Sequence, residues 1–215
     1  MTASTDKRQE TRADGYLLKS LSASSINSRS EAFSSISRIV SDALSSSSGR
    51  SLGGGSLFRI YRDARFSKDK RPYKTNTGIQ FRHNHGKDVH APGFYLHLEP
   101  SNVFAAVGIW HPDSTTLGKI RDAIIEDPSG WKKAVKGKAF LSRFDLSGDS
   151  LLRAPKGYDP DHPFIEDLKR KDFIGTTSLT QDAVGKPEFP RYFAEICQAG
   201  TSFIKFLCSA IGLPF

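Results

Sequence analysis

GFYLHLEPSNVFAAVGIW, residues 93–110, is the stretch whose reading decides the fold. Residues 93–99 alternate, with Phe94, Leu96 and Leu98 on one face and Tyr95 and His97 on the other, the period of a strand. Residues 103–110 are almost continuously apolar, which predicts a central strand buried on both faces. Only the short link 100–102 separates them, too short for a crossover, so they pair as an antiparallel hairpin.

Working outward, an earlier strand is expected at about Leu57–Asp63, with Phe58, Ile60 and Arg62 on one face and Arg59, Tyr61 and Asp63 on the other. SKDKRPYKTNTG (67–78) follows, and Pro72 has no N–H for a ladder, so this part reads as loop or edge. Residues 81–91 read as a polar connection holding His83, His85 and His90. After the hairpin, Asp113 or Ser114 caps a helix with Leu117, Ile120 and Ile124 inward, stopped before Pro128. A shorter helix is expected at 131–140 and strands at 143–146 and 151–154. The loop PKGYDPDHP (155–163) leads to a helix at about 163–171, then a strand at 172–180. A last helix starts near Pro190 and carries Phe193, Leu207 and Ile211 inward.

Toward the N-terminus, Ser28 and Glu31 have capping-box spacing ahead of Phe33, Ile36 and Val40, which predicts a helix. SSSSGRSLGGGS (45–56) ends it as a flexible connector. Its glycines do not follow a strand and open a helix, so it is not a phosphate-cradling loop. Residues 1–28 are Ser-rich without a period and read as disordered or loosely attached. Strands and helices mix without a βαβ rhythm. The fold class is therefore α+β, a largely antiparallel central sheet flanked by helices, in a single domain over 29–215.

The chain has 215 residues, a formal charge of +8 and a pI near 9.5, which favours anionic partners. The charge is densest in FRIYRDARFSKDKRPYKTNT (58–77): between Arg59 and Lys74, seven basic side chains face only Asp63 and Asp69. Cys197 and Cys208 fall on one expected helix, too far apart for a disulfide, which fits a reducing compartment and a cytoplasmic location. A nuclear or organellar address stays open, as the Ser-rich, weakly basic residues 15–30 are opposed by Asp6, Glu10 and Asp14. No run is long and apolar enough to span a membrane, so no membrane partner is expected.

Three functional readings follow. In the first, Arg62, Arg65, Lys70, Lys74 and Lys156 bind a small phosphate- or carboxylate-bearing ligand, since guanidinium forks and ammonium groups suit such anions. Asp63, Asp69, His97, Asp161 and His162 are then the ionisable candidates for catalysis. In the second, the basic stretch is a nucleic-acid-binding face with Tyr61, Phe66 or Tyr73 stacking on bases. In the third, the chain is a structural or interaction protein whose charged motif is a salt-bridge network. Whether the chain is an enzyme stays open, and oligomeric state and cofactor are unknown at this level. His83, His85, His90 and His97 invite a metal reading, with His83 and His85 at two-ligand spacing and Glu99 as an added carboxylate, but no further HxxH or CxxC completes a set, so no metal site is assigned. No nucleophile has an identifiable base partner.

Several blocks in order carry a resemblance: RIYRDARFSKDKRPYKT, FRH, APGFYLHLEP, GIWHPD, IRDAI, APKGYDPDHP and LKRK. Together they resemble the conserved hypothetical proteins of the family "domain of unknown function 2461", found in bacteria and fungi. The resemblance is clearest over 58–215. It implies an α+β domain, no cofactor and no established activity. Members usually begin with a further helical segment bearing an Asn-Asn pair and a nearby Trp-Phe, for which residues 1–30 have no counterpart.

Overall fold

The computed structural model describes residues 58, 61, 65, 73–82, 91–213 and 215. Five strands, β1 (Thr77–Arg82), β2 (Gly93–Glu99), β3 (Asn102–Ile109), β4 (Asp145–Ser147) and β5 (Phe173–Leu179), form one sheet in the order β1-β2-β3-β5-β4. Every neighbouring pair is antiparallel. The helices are α1 (Ser114–Glu126), α2 (Pro128–Lys136), α3 (Lys138–Leu141), α4 (Ile165–Leu168), α5 (Gln181–Val184), α6 (Phe189–Ala199) and α7 (Thr201–Ile211). This is the expected α+β architecture with an antiparallel sheet.

The hairpin at 93–110 forms as read, Glu99 pairing with Asn102 across a turn at Pro100 and Ser101. β3 is central, between β2 and β5, but it is not buried on both faces. Val103, Ala105, Val107 and Ile109 are buried, whereas Phe104, Ala106 and Gly108 on the other face are only half covered. The strand reads as continuously apolar because its second face, through Phe104, Ala106 and Gly108, lines an apolar cavity.

The buried face is shared across the sheet by Ile79, Phe81, Phe94, Leu96, Val107 and Phe173. α6 and α7 pack there through Phe193, Ile196, Phe203, Ile204 and Leu207. The expected last helix is two, parted at Gly200, where a Cβ would come 2.8 Å from the Val107 side chain. Cys197 and Cys208 therefore sit on separate helices, both free and buried. Burial drives the Cys197 thiol far above its usual range and pushes Cys208 up to about 12, which makes both poor nucleophiles.

Other expectations shift. β1 arises where loop and polar connection are read. The helix at 131–140 is two, α2 and α3, separated at Gly137. Residues 151–154 are not a strand; only the isolated bridge Ser150–Arg170 stands nearby. The helix at 163–171 shrinks to α4, because buried Arg121 takes the carbonyls of Leu168 (2.6 Å) and Arg170 (3.0 Å). The expected helix from Ser28, the connector at 45–56 and, apart from Phe58 and Tyr61, the strand at 57–63 lie outside the described residues.

Candidate functional site

The face of the sheet opposite α6 and α7 carries the candidate site. Pairing register sets its side chains in rows across the strands. Gly78, His97, Phe104 and Ser178 form one row, and Gln80, Tyr95, Ala106 and Thr176 the next. Gly93, Gly108 and Ile174 follow. Successive rows are about 6.6 Å apart along the strands.

These rows floor a cavity of about 390 Å³, a size that suits a small ligand. Gly93, Ala106 and Gly108 keep the floor low, while Phe58, Tyr95, Phe104, Trp110 and Ile174 wall it. Gln80 and Thr176 add the polar groups, and among the described residues none of the lining is charged. Gly108 has a φ of 127°, and a Cβ there would collide with the Phe173 carbonyl, so no other residue fits this floor position.

Beside the cavity runs a chain of polar side chains. The Tyr95 hydroxyl lies 3.0 Å from His97 Nδ1, and His97 Nε2 lies 3.3 Å from Glu99 Oε2. Glu99 also accepts from the Thr75 hydroxyl (2.7 Å) and from Asn102 Nδ2 (3.2 Å). An ionised Glu99 can only accept, so Nε2 carries the proton toward it and Nδ1 accepts from Tyr95. Thr75, then Asn102 and His97, hold the Glu99 carboxyl below its usual range by hydrogen bonding. Burial, with a smaller contribution from the Glu99 charge, lifts the Tyr95 phenol above its usual range. The His97 ring stacks on Phe104 at 4.7 Å, and its residue is 9% exposed.

The start and the end of the basic stretch are both fastened to this face. Phe58 donates its N–H to the Gly78 carbonyl (2.9 Å) and packs edge-on against Tyr95, and Thr75 binds Glu99. Between them Tyr61 bridges to Tyr73, their rings 5.5 Å apart.

Of the sequence candidates, His97 stands in this site. Arg65 and Lys74 are exposed in the stretch that leaves it. Arg62, Asp63, Asp69 and Lys70 lie outside the described residues, as do His83, His85 and His90. Lys156, Asp161 and His162 belong to a loop on the helical side. Tyr158 ties that loop to α1 by a 2.8 Å bond to Asp122, and His162 Nδ1 accepts from the Phe164 N–H. They do not share a face with His97. Among the described residues no group of three His, Cys, Asp or Glu is placed to hold a metal.

Tyr95 is absent from the sequence candidates, and Glu99 enters them only as a carboxylate for a metal set. The alternation of 93–99 already puts both beside His97, and that was the available signal. The cavity itself is assembled from β1, β2, β3 and β5, so no single stretch reveals it.

No curated protein and no solved structure matches the chain. One family model does, described as "Conserved hypothetical protein (DUF2461)", over residues 29–206. It begins well before the blocks where the resemblance is clearest. The chain, which folds as the resemblance implies, belongs to this family of conserved hypothetical proteins.

Proposed function

We propose that the cavity on the face of the sheet opposite α6 and α7 binds a small ligand with an apolar body and a phosphate or carboxylate group. The cavity holds the body. Arg62, Arg65, Lys70 and Lys74 meet the anionic group. The observation that carries this reading is the double role of Phe58: it walls a cavity whose described lining is uncharged, and it is the residue at which the basic stretch begins. An apolar pocket with a few polar groups at its edge is the usual form of a small-molecule site. His97 is the ionisable candidate joined to the cavity wall, through Tyr95. Lys156, Asp161 and His162 have no part in this reading, and no reaction is assigned.

The test uses anilinonaphthalene sulfonate and its uncharged analogue N-phenylnaphthylamine as fluorescent probes. Both are expected to bind saturably, the sulfonate more tightly. Ala106→Trp, which fills the cavity floor, should abolish both. Arg62→Ala and Lys70→Ala should weaken only the sulfonate, by about 3- to 10-fold each. Thermal melts of each variant check that the fold persists. Unchanged probe binding in a folded Ala106→Trp variant would sink the reading.

A second reading has its own support. Tyr61 and Tyr73 are 54% and 55% exposed on the basic stretch, as base-stacking residues would be. Single-stranded oligothymidylate then binds with an affinity that falls steeply with salt, and Tyr73→Ala reduces it. Oligothymidylate binding that survives Ala106→Trp favours this reading over the cavity.

A further inference from the structure

At the end of the cavity away from Phe58, β3 runs out into Trp110 and His111. Trp110 is part of the cavity wall and is 60% exposed. The His111 ring lies 4.3 Å from it, centroid to centroid. His111 adopts a left-handed backbone with φ 47°, a conformation that costs a residue with a side chain and that persists only where surroundings enforce it. The enforcing group is Asp172, which leads into β5 and is 2% exposed. Its Oδ1 accepts the His111 N–H (2.8 Å) and its Oδ2 accepts the Asp149 N–H (3.0 Å). Oδ1 also lies 3.4 Å from His111 Nδ1.

A buried carboxylate thus grips both the backbone and the ring of a half-exposed histidine. The His111 side chain is 52% exposed against 3% for Asp172. With Nδ1 turned to Asp172, the other ring nitrogen, Nε2, is the one turned away from it. When the ring takes up a proton, Nδ1–H faces Asp172 and Nε2–H becomes an outward donor beside Trp110. Among the described residues the groups placed against the ring are Asp172, from the β5 side, and the Trp110 indole; Asp113, two residues on, turns its carboxylate to the Thr116 N–H as the cap of α1.

We propose that His111 is a second, pH-gated contact of the cavity. Held by Asp172, it donates from Nε2 to an acidic group of the ligand at the Trp110 end. This rests on the binding reading given above, and it adds a charge that the described lining of the cavity does not supply. It makes binding of acidic ligands tighten as pH falls, independently of the basic stretch.

The experiment titrates the full chain with anilinonaphthalene sulfonate and with N-phenylnaphthylamine from about pH 8 to about pH 5.5, where imidazoles take up a proton. The variant is His111→Asn, because asparagine tolerates the left-handed backbone while losing the titrating ring. For the unmodified chain the sulfonate is expected to bind about three-fold or more tighter at the acid end, the size of one exposed charged contact. The uncharged probe should show no such gain. In His111→Asn the gain should vanish while the uncharged probe still binds. Equal pH dependence in the variant and the unmodified chain overturns the role of His111 and leaves the cavity standing. Failure of both probes to bind at any pH overturns the cavity and the role of His111 together.

Discussion

At the scale of the residue, Asp172 does more for this fold than its single charge suggests. It receives backbone N–H groups from His111 and Asp149, joining the end of β3 to the turn after β4. Asp172→Ala leaves both donors without their acceptor in partly buried positions. We predict a loss of about 2–4 kcal/mol, the usual cost of stranding such groups, measured by urea denaturation; a loss under about 1 kcal/mol would mean that water replaces the carboxylate fully. Little of this was legible beforehand. Asp172 opens a stretch that reads as a strand, and nothing in the order of residues says that its carboxylate turns back to a histidine 61 positions earlier. His97 was legible, because the period of two in 93–99 fixes its face whatever the rest of the chain does.

At the scale of the element, the hairpin was readable and its turn carries a correctable cost. Ser101 follows Pro100 with φ 64°, a left-handed conformation that favours glycine. Ser101→Gly is predicted to stabilise the protein by roughly 0.5 kcal/mol, the relief of backbone strain exceeding the added freedom of the unfolded chain. A raised midpoint in urea at an unchanged slope supports this, and a lowered midpoint refutes it. Helix ends were less readable than helix existence. Apolar periodicity runs on from Phe193 to Ile211, so it cannot show that Gly200 must press on Val107 and break the helix. α4 stops early because a guanidinium, supplied by Arg121 from α1, takes carbonyls that a longer helix would have satisfied itself. β1 was missed because Pro72 and the charges before it colour the reading of residues that pair fully with β2. At Gly200 and at the end of α4 a distant side chain decided a local outcome.

At the scale of the whole molecule, two features of the sequence separate cleanly. The apolar pattern from residue 91 onward builds most of the sheet, and β1 adds one edge. The charge belongs elsewhere: residues 91–215 carry fifteen Lys and Arg against fifteen Asp and Glu, so the formal +8 sits entirely in residues 1–90. Composition alone gave a basic protein, and only the division of the chain shows that its sheet and helices are not what makes it basic. The proposed site draws on both parts, Phe58 from the basic one and Trp110 from the neutral one. Among the described residues no helix is long and apolar enough to cross a membrane.

The charge division has a consequence for how copies of this protein meet one another. A body with equal numbers of positive and negative groups stands close to its isoelectric condition near neutral pH, where mutual repulsion is weakest and precipitation easiest. The first ninety residues, with sixteen Lys and Arg against eight Asp and Glu, supply the repulsion that the remainder lacks. The net charge of the whole molecule therefore rests on them, and neutralising them is expected to lower its solubility.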